Sequence, residues 1–156
     1  MDRQRRAELI ARYREGYAAV ATALSGATGD DLDRRPPDGT WSAREVAHHL
    51  ADSEMTSAIR LRRLIAEDNP EIIGYDEAEF ARRLFYAARP IEASLAALAA
   101  SRESTATILD HLSEEQWARA GTHSESGPYS VETWLEIYAA HAHDHAAQIG
   151  RALGRA

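Results

Sequence analysis

Four long stretches of this chain repeat apolar residues at spacings of three and four, and none alternates convincingly with a period of two. Leu9, Ile10, Tyr13, Tyr17, Val20 and Leu24 mark the first stripe. It predicts a helix from about Asp2 to Leu24, with Gly26 placed to end it. Val46, Leu50, Ser53, Ser57, Leu61 and Leu64 mark the second. There Ser42 stands three residues before Glu45, a capping box, and Asn69-Pro70 closes the segment. Ile91, Leu95, Leu98, Thr105, Leu109 and Leu112 follow a near-heptad stripe from Pro90 to about Leu112. The fourth helix begins near Ser130 and ends near Gly154. Shorter helical pieces are expected at 76–88 and at 113–117, and the Gly-, Asp- and Pro-rich span 26–41 reads as loop. The pattern predicts one all-α domain over residues 1–156, a four-helix bundle with one or two short additional helices.

The fourth helix carries the chemistry. The stretch HAHDHAAQIG, residues 141–150, places three of the seven histidines within five positions. A helix advances about 100° per residue, so with Trp134 as zero, His141 falls at about −20° and His145 at about +20°. Both share the inward stripe of Trp134, Tyr138, Gln148 and Ala152, while His143 falls on the opposite, solvent side. Imidazoles at i and i+4 can reach one metal ion. A third ligand has to come from elsewhere, because a catalytic metal ordinarily takes three protein ligands and keeps one position open. On the second helix His49 lies at the edge of the inward face and His48 points outward. His111 is placed to face either way, and His123 sits in a Gly/Ser loop. A lone inward histidine is ordinarily a hydrogen-bonded core residue, but three on two helices favour ligation, so the expected metal ligands are His49, His141 and His145. His49 lies about 10 Å along its helix and His141 and His145 about 16 and 22 Å along theirs, so some offset has to bring them together. Tyr138, one turn from His141, is the candidate to orient a bound group, although a buried core role suits it better.

Composition removes several alternatives. The chain has no cysteine, which excludes disulfides, thiolate ligands and a cysteine nucleophile. All 18 of its basic residues are arginine, so Schiff-base chemistry and a phosphate-binding loop lysine are absent too. A formal net charge of −7 disfavours a nucleic-acid partner. No apolar run approaches the ~20 residues that span a membrane, and the charged first segment lacks the apolar centre of a signal peptide, so a cytoplasmic location is expected. There is no nucleophile elbow and no Ser-His-Asp arrangement.

The segments TWSAREVAHHLADSE (40–54) and HAHDHAAQIGRAL (141–153) resemble the two signature segments of the DinB-like superfamily, and YDEAEFARRLFYAARP (75–90) is similar to its members. The resemblance extends over most of the chain from about residue 20. It implies a small bacterial four-helix bundle with a metal triad at His49, His141 and His145, the same three that helical phase selects. Many relatives carry a second histidine just before the last ligand; here that position is Asp144. The resemblance implies a divalent ion, zinc or nickel foremost, and a homodimer as an expected assembly. Some relatives are thiol-dependent transferases and many have no assigned activity. The leading expectation is therefore S-transfer from a low-molecular-weight thiol to a small electrophile, the ion acidifying the thiol or a water. The alternatives are a metal-dependent hydrolase and a non-catalytic binder of metal or small molecules.

Overall fold

The computed structural model describes residues 1–155. Four long helices dominate: α1 (Arg3–Leu24), α3 (Ala43–Ala66), α5 (Glu92–Leu109) and α7 (Val131–Ala152), with short helices α2 (Gly29–Asp33), α4 (Glu77–Arg83) and α6 (Glu114–Trp117) between them. The Ser42–Glu45 capping box forms as expected, with Ser42 Oγ accepting from the Glu45 amide and Glu45 reaching back to the Ser42 amide. A second box at Thr28 and Asp31 nucleates α2 within the span that reads as loop. Among the described residues no helix is long and apolar enough to cross a membrane.

The order of the helices follows from their contacts. His143 Nε2 lies 2.9 Å from the Arg12 carbonyl and the Met1 ammonium 2.8 Å from Glu132, so α1 and α7 run parallel. His48 contacts Ser94, and Arg62 bonds Ser104 and Thr105, so α3 and α5 run parallel as well. The two pairs oppose each other: Trp134 Nε1 donates to the Ser57 carbonyl at 2.9 Å, while His141 meets His49 farther along α7 and earlier along α3. Two consecutive parallel helices need a connection that travels their full length. Residues 67–91 make that crossover, returning from the end of α3 to its beginning and carrying α4 with them.

A three-stranded sheet, β1 (Glu71–Ile72), β2 (Ala120–His123) and β3 (Gly127–Ser130), closes the end where α3 stops and α7 begins. It adds to the expected bundle. Strand β1 pairs in parallel with β2, and β2 antiparallel with β3. Its strands are two to four residues long, too short for a period of two to emerge, and Pro128 is tolerated because β3 is an edge.

The core splits into two apolar clusters. One surrounds Trp134, Tyr13, Leu61 and Leu135; the other surrounds Val20, Val46, Leu50, Leu98 and Ile149. Between them α1 approaches α5 and α7 at Gly16, where an added Cβ would stand 2.6 Å from Arg102 Nη2 and 2.8 Å from Ala142 Cβ. Gly16→Ala removes a helix-interior glycine yet overpacks a closed seam, so a net loss of about 1–3 kcal/mol in urea unfolding is expected. Stabilisation by the same change would show that the seam has room.

Candidate metal centre

The first half of α3 is buried on every side: residues 45–51 are all inaccessible. This overturns the expected exposure of His48. Its phase does point away from α7, but α5 and the crossover cover that face. Its Nδ1 lies 2.8 Å from Ser94 Oγ and its Nε2 3.1 Å from the Arg89 carbonyl, and its ring packs on Tyr86. Both nitrogens are occupied, so His48 is a satisfied core histidine.

His49 differs. It is 1% exposed, and its Nε2 is buried with no hydrogen-bond partner. Its ring centroid lies 5.4 Å from that of His141 and 4.7 Å from that of His145, and those two are 4.5 Å apart. One nitrogen from each ring falls within 4.8 Å of the others. The antiparallel course of α3 and α7 explains the meeting. His49 stands six residues inside the start of α3 and His145 seven before the end of α7, so the two helix ends coincide and no sliding is needed.

An orphaned buried nitrogen costs about 1–3 kcal/mol in the folded state. Three imidazoles gathered this closely form a donor set that a divalent ion takes. Burial, then the nearby His145, lowers the pKa of His49 to about 4. Burial lowers that of His141 to about 3, helped by His145, His49 and Arg102. Both rings are therefore neutral near pH 7 and able to donate. His145 Nδ1 lies 2.7 Å from Gln148 Oε1. An amide oxygen only accepts, so in this contact Nδ1 carries a proton and Nε2 is the atom turned to the other two rings. Gln148 thus holds both the tautomer and the orientation of that ring. Trp41 covers the outer side of His49 at 5.1 Å between ring centroids and packs edge-on against Tyr86. Beyond Trp41 lies a groove of about 450 Å³ lined by Arg35, Ala78, Ala81, Phe85 and Ala88.

The remaining candidates separate from the triad. His143 bonds the α1 backbone, His111 is exposed just past α5, and His123 lies in β2 against Tyr129. Asp144 is exposed. Tyr138 is buried, its ring 5.2 Å from Trp134 and 5.6 Å from His141. Burial raises its pKa, so it stays a protonated phenol. No carboxylate among the described residues hydrogen-bonds to the triad. Asp52, one turn beyond His49, accepts instead from Tyr86 Oη at 2.5 Å.

The family model of the DinB superfamily matches residues 12–149. A protein from Oceanobacillus iheyensis, named as a candidate metal-dependent hydrolase, is 41% identical over 120 residues, covering 77% of this chain and 69% of its own length. Another so named, from Geobacillus thermodenitrificans, is 34% identical over 146 residues, covering 91% and 80%. Among solved structures, YfiT from Bacillus subtilis superposes with a TM-score of 0.91 at 29% identity, covering 100% of this chain and 91% of its own. YfiT is described as a candidate metal-dependent hydrolase with an unusual four-helix bundle topology.

Proposed function

The chain belongs to the DinB superfamily, and from that premise we propose that it is a metal-dependent enzyme that hydrolyses a small ester or amide, with His49, His141 and His145 as the ligands of one divalent ion. The orphaned buried Nε2 of His49, beside the rings of His141 and His145, carries this reading. The names of the relatives support the hydrolytic class. Zinc and nickel both suit an all-imidazole set. When bound, such an ion supplies a positive charge that acidifies a nucleophile and polarises a carbonyl.

The protein's own groups do the rest. His49 and His141 stay unprotonated through burial, and Gln148 fixes the ring of His145. Trp41 packs over His49, and the groove on its far side is lined by both apolar and charged side chains, Phe85 and Ala78 beside Arg35, Glu45 and Arg82.

One observation favours a second nucleophile. With Asp52 engaged by Tyr86, no carboxylate among the described residues is bonded to the triad to accept a proton. A free thiol is far more acidic than free water, so it needs less help to lose its proton. An external low-molecular-weight thiol therefore fits the site, and a chain without cysteine supplies none itself.

The test is an assay of metal-free and zinc- or nickel-loaded protein on a panel of small esters, amides and alkyl halides, with and without thiols. Hydrolysis that needs metal and no thiol is the expected result. Turnover that needs both metal and thiol moves the assignment to S-transfer. No turnover under either condition, with metal bound, overturns the enzymatic reading and leaves a metal-binding protein.

A further inference from the structure

Three buried side-chain polar atoms lack a hydrogen-bond partner among the described residues: His49 Nε2, Arg60 Nε and Tyr75 Oη. The first belongs to the triad. The other two are neighbours, with Arg60 Cζ 5.8 Å from the centroid of the Tyr75 ring. Arg60 bonds Tyr138 Oη through Nη1 at 3.4 Å and the Ile73 carbonyl through Nη2 at 2.7 Å, which leaves Nε–H without an acceptor. It forms no ion pair among the described residues, whereas the buried Arg102 pairs with Glu54. Burial pushes the Tyr75 phenol up to about 12, so its hydroxyl keeps its proton. Tyr138 Oη accepts from Arg60, so its own proton is free to point elsewhere. Ser53, itself buried, lies close to both phenols without completing a hydrogen bond to Tyr75.

The cluster therefore offers one cationic N–H and two phenolic O–H groups, and among the described residues no carboxylate bonds to Arg60, although Glu77 acts electrostatically on Tyr75 and Glu54 on Tyr138. An unmet buried donor destabilises the fold, and an ionised acceptor satisfies it better than a neutral one. The place matters too. Tyr138 stands one helical turn before His141 with its ring against that imidazole, so its far end reaches Arg60 while its near side borders the triad. The crossover supplies Tyr75 and the Ile73 carbonyl.

We propose that Arg60, Tyr75 and Tyr138 form an anion-recognition subsite that takes the carboxylate of a small substrate and presents the rest of it to the triad. As a statement about the substrate this rests on the enzymatic reading above; as a statement about binding it needs no metal.

The experiment titrates metal-free protein with propionate and with propionamide, its uncharged isostere, at fixed ionic strength, following backbone amide resonances. Propionate should shift the resonances around residues 60, 73–75 and 138 saturably, and propionamide should bind at least ten-fold more weakly. Arg60→Gln should weaken propionate at least ten-fold, Arg60→Lys should retain part of the affinity, and Tyr75→Phe should weaken it by a smaller factor. Should Arg60→Gln fail to fold, Tyr75→Phe and the propionate–propionamide ratio carry the test. Equal binding of the two probes, shifts confined to another face, or no saturation (the donors then being met by water only) overturns the proposal. Zinc uptake measured on the same samples separates the two readings. Propionate binding without zinc uptake sinks the metal site alone, and zinc uptake without propionate binding sinks the subsite alone.

Discussion

Protein carrying His141→Ala together with His145→Ala is expected to lose its bound divalent ion entirely, from about one per chain to none, by equilibrium dialysis with metal analysis. A single imidazole, His49, cannot hold the ion against solvent, because the site depends on three donors acting at once. Each single change, His49→Ala included, should lower the affinity steeply. The controls carry as much weight. His143→Ala should keep full metal content, since its ring bonds only the α1 backbone. His48→Ala should also keep it while costing stability, because it strips partners from Ser94 and the Arg89 carbonyl in a buried place. Metal also links to stability: an ion that binds only the native site adds RT ln(1 + [L]/Kd), about 4 kcal/mol at a thousand-fold excess over Kd. Zinc or nickel should therefore raise the unfolding midpoint of the wild type and leave the double variant unchanged. Stoichiometric metal retained by the double variant would refute the site.

How much of this is legible in the sequence depends on what each feature needs. The long helices are legible because amphipathic stripes and the Ser42 capping box act locally. The triad is legible because helical phase alone turns His49, His141 and His145 inward. The expected mismatch of their heights does not arise, and its removal required knowing that α3 and α7 are antiparallel. The exposure expected of His48 fails for a related reason. Phase gives one inward face, yet the crossover and α5 enclose the first half of α3 completely. Arg60 and Tyr75 carry no local signal, because only the returning 67–91 segment brings them together. The short strands escape for want of length, and the Thr28 box that starts α2 is hidden by the surrounding Gly and Pro.

One feature was legible in the stripes but in a form easily passed over: a charge where an apolar residue belongs. The α5 stripe runs 91, 95, 98, then 105, 109 and 112, and the missing step is Arg102. On α3 Glu54 stands next to the Ser53 position of the stripe, one turn from both Leu50 and Ser57. The two meet in the core at 3% and 1% side-chain exposure, with Arg102 Nη1 2.5 Å from Glu54 Oε2. Burial pushes the Glu54 carboxyl up, and Arg102, then Tyr13, pulls it back. The Tyr13 phenol, itself pushed up by burial and by Glu54, keeps its proton and donates it to Glu54. Arg102 also donates to the carbonyls of Tyr13 on α1 and Tyr138 on α7, and its guanidinium lies 3.9 Å from the Tyr13 ring centroid. One side chain thus ties α5 to the other three long helices, one turn before His141.

Arg102→Met should therefore cost about 3–5 kcal/mol in urea unfolding, the expected penalty for leaving a buried carboxylate unpaired. The charge pair need not itself be stabilising, since two buried ions lose much hydration to form it. The double change Glu54→Leu with Arg102→Met should then cost clearly less than the sum of the single changes, with a coupling of about 1–3 kcal/mol. A loss below about 1 kcal/mol for Arg102→Met, or simple additivity in the cycle, would show that the network does not hold the helices in register.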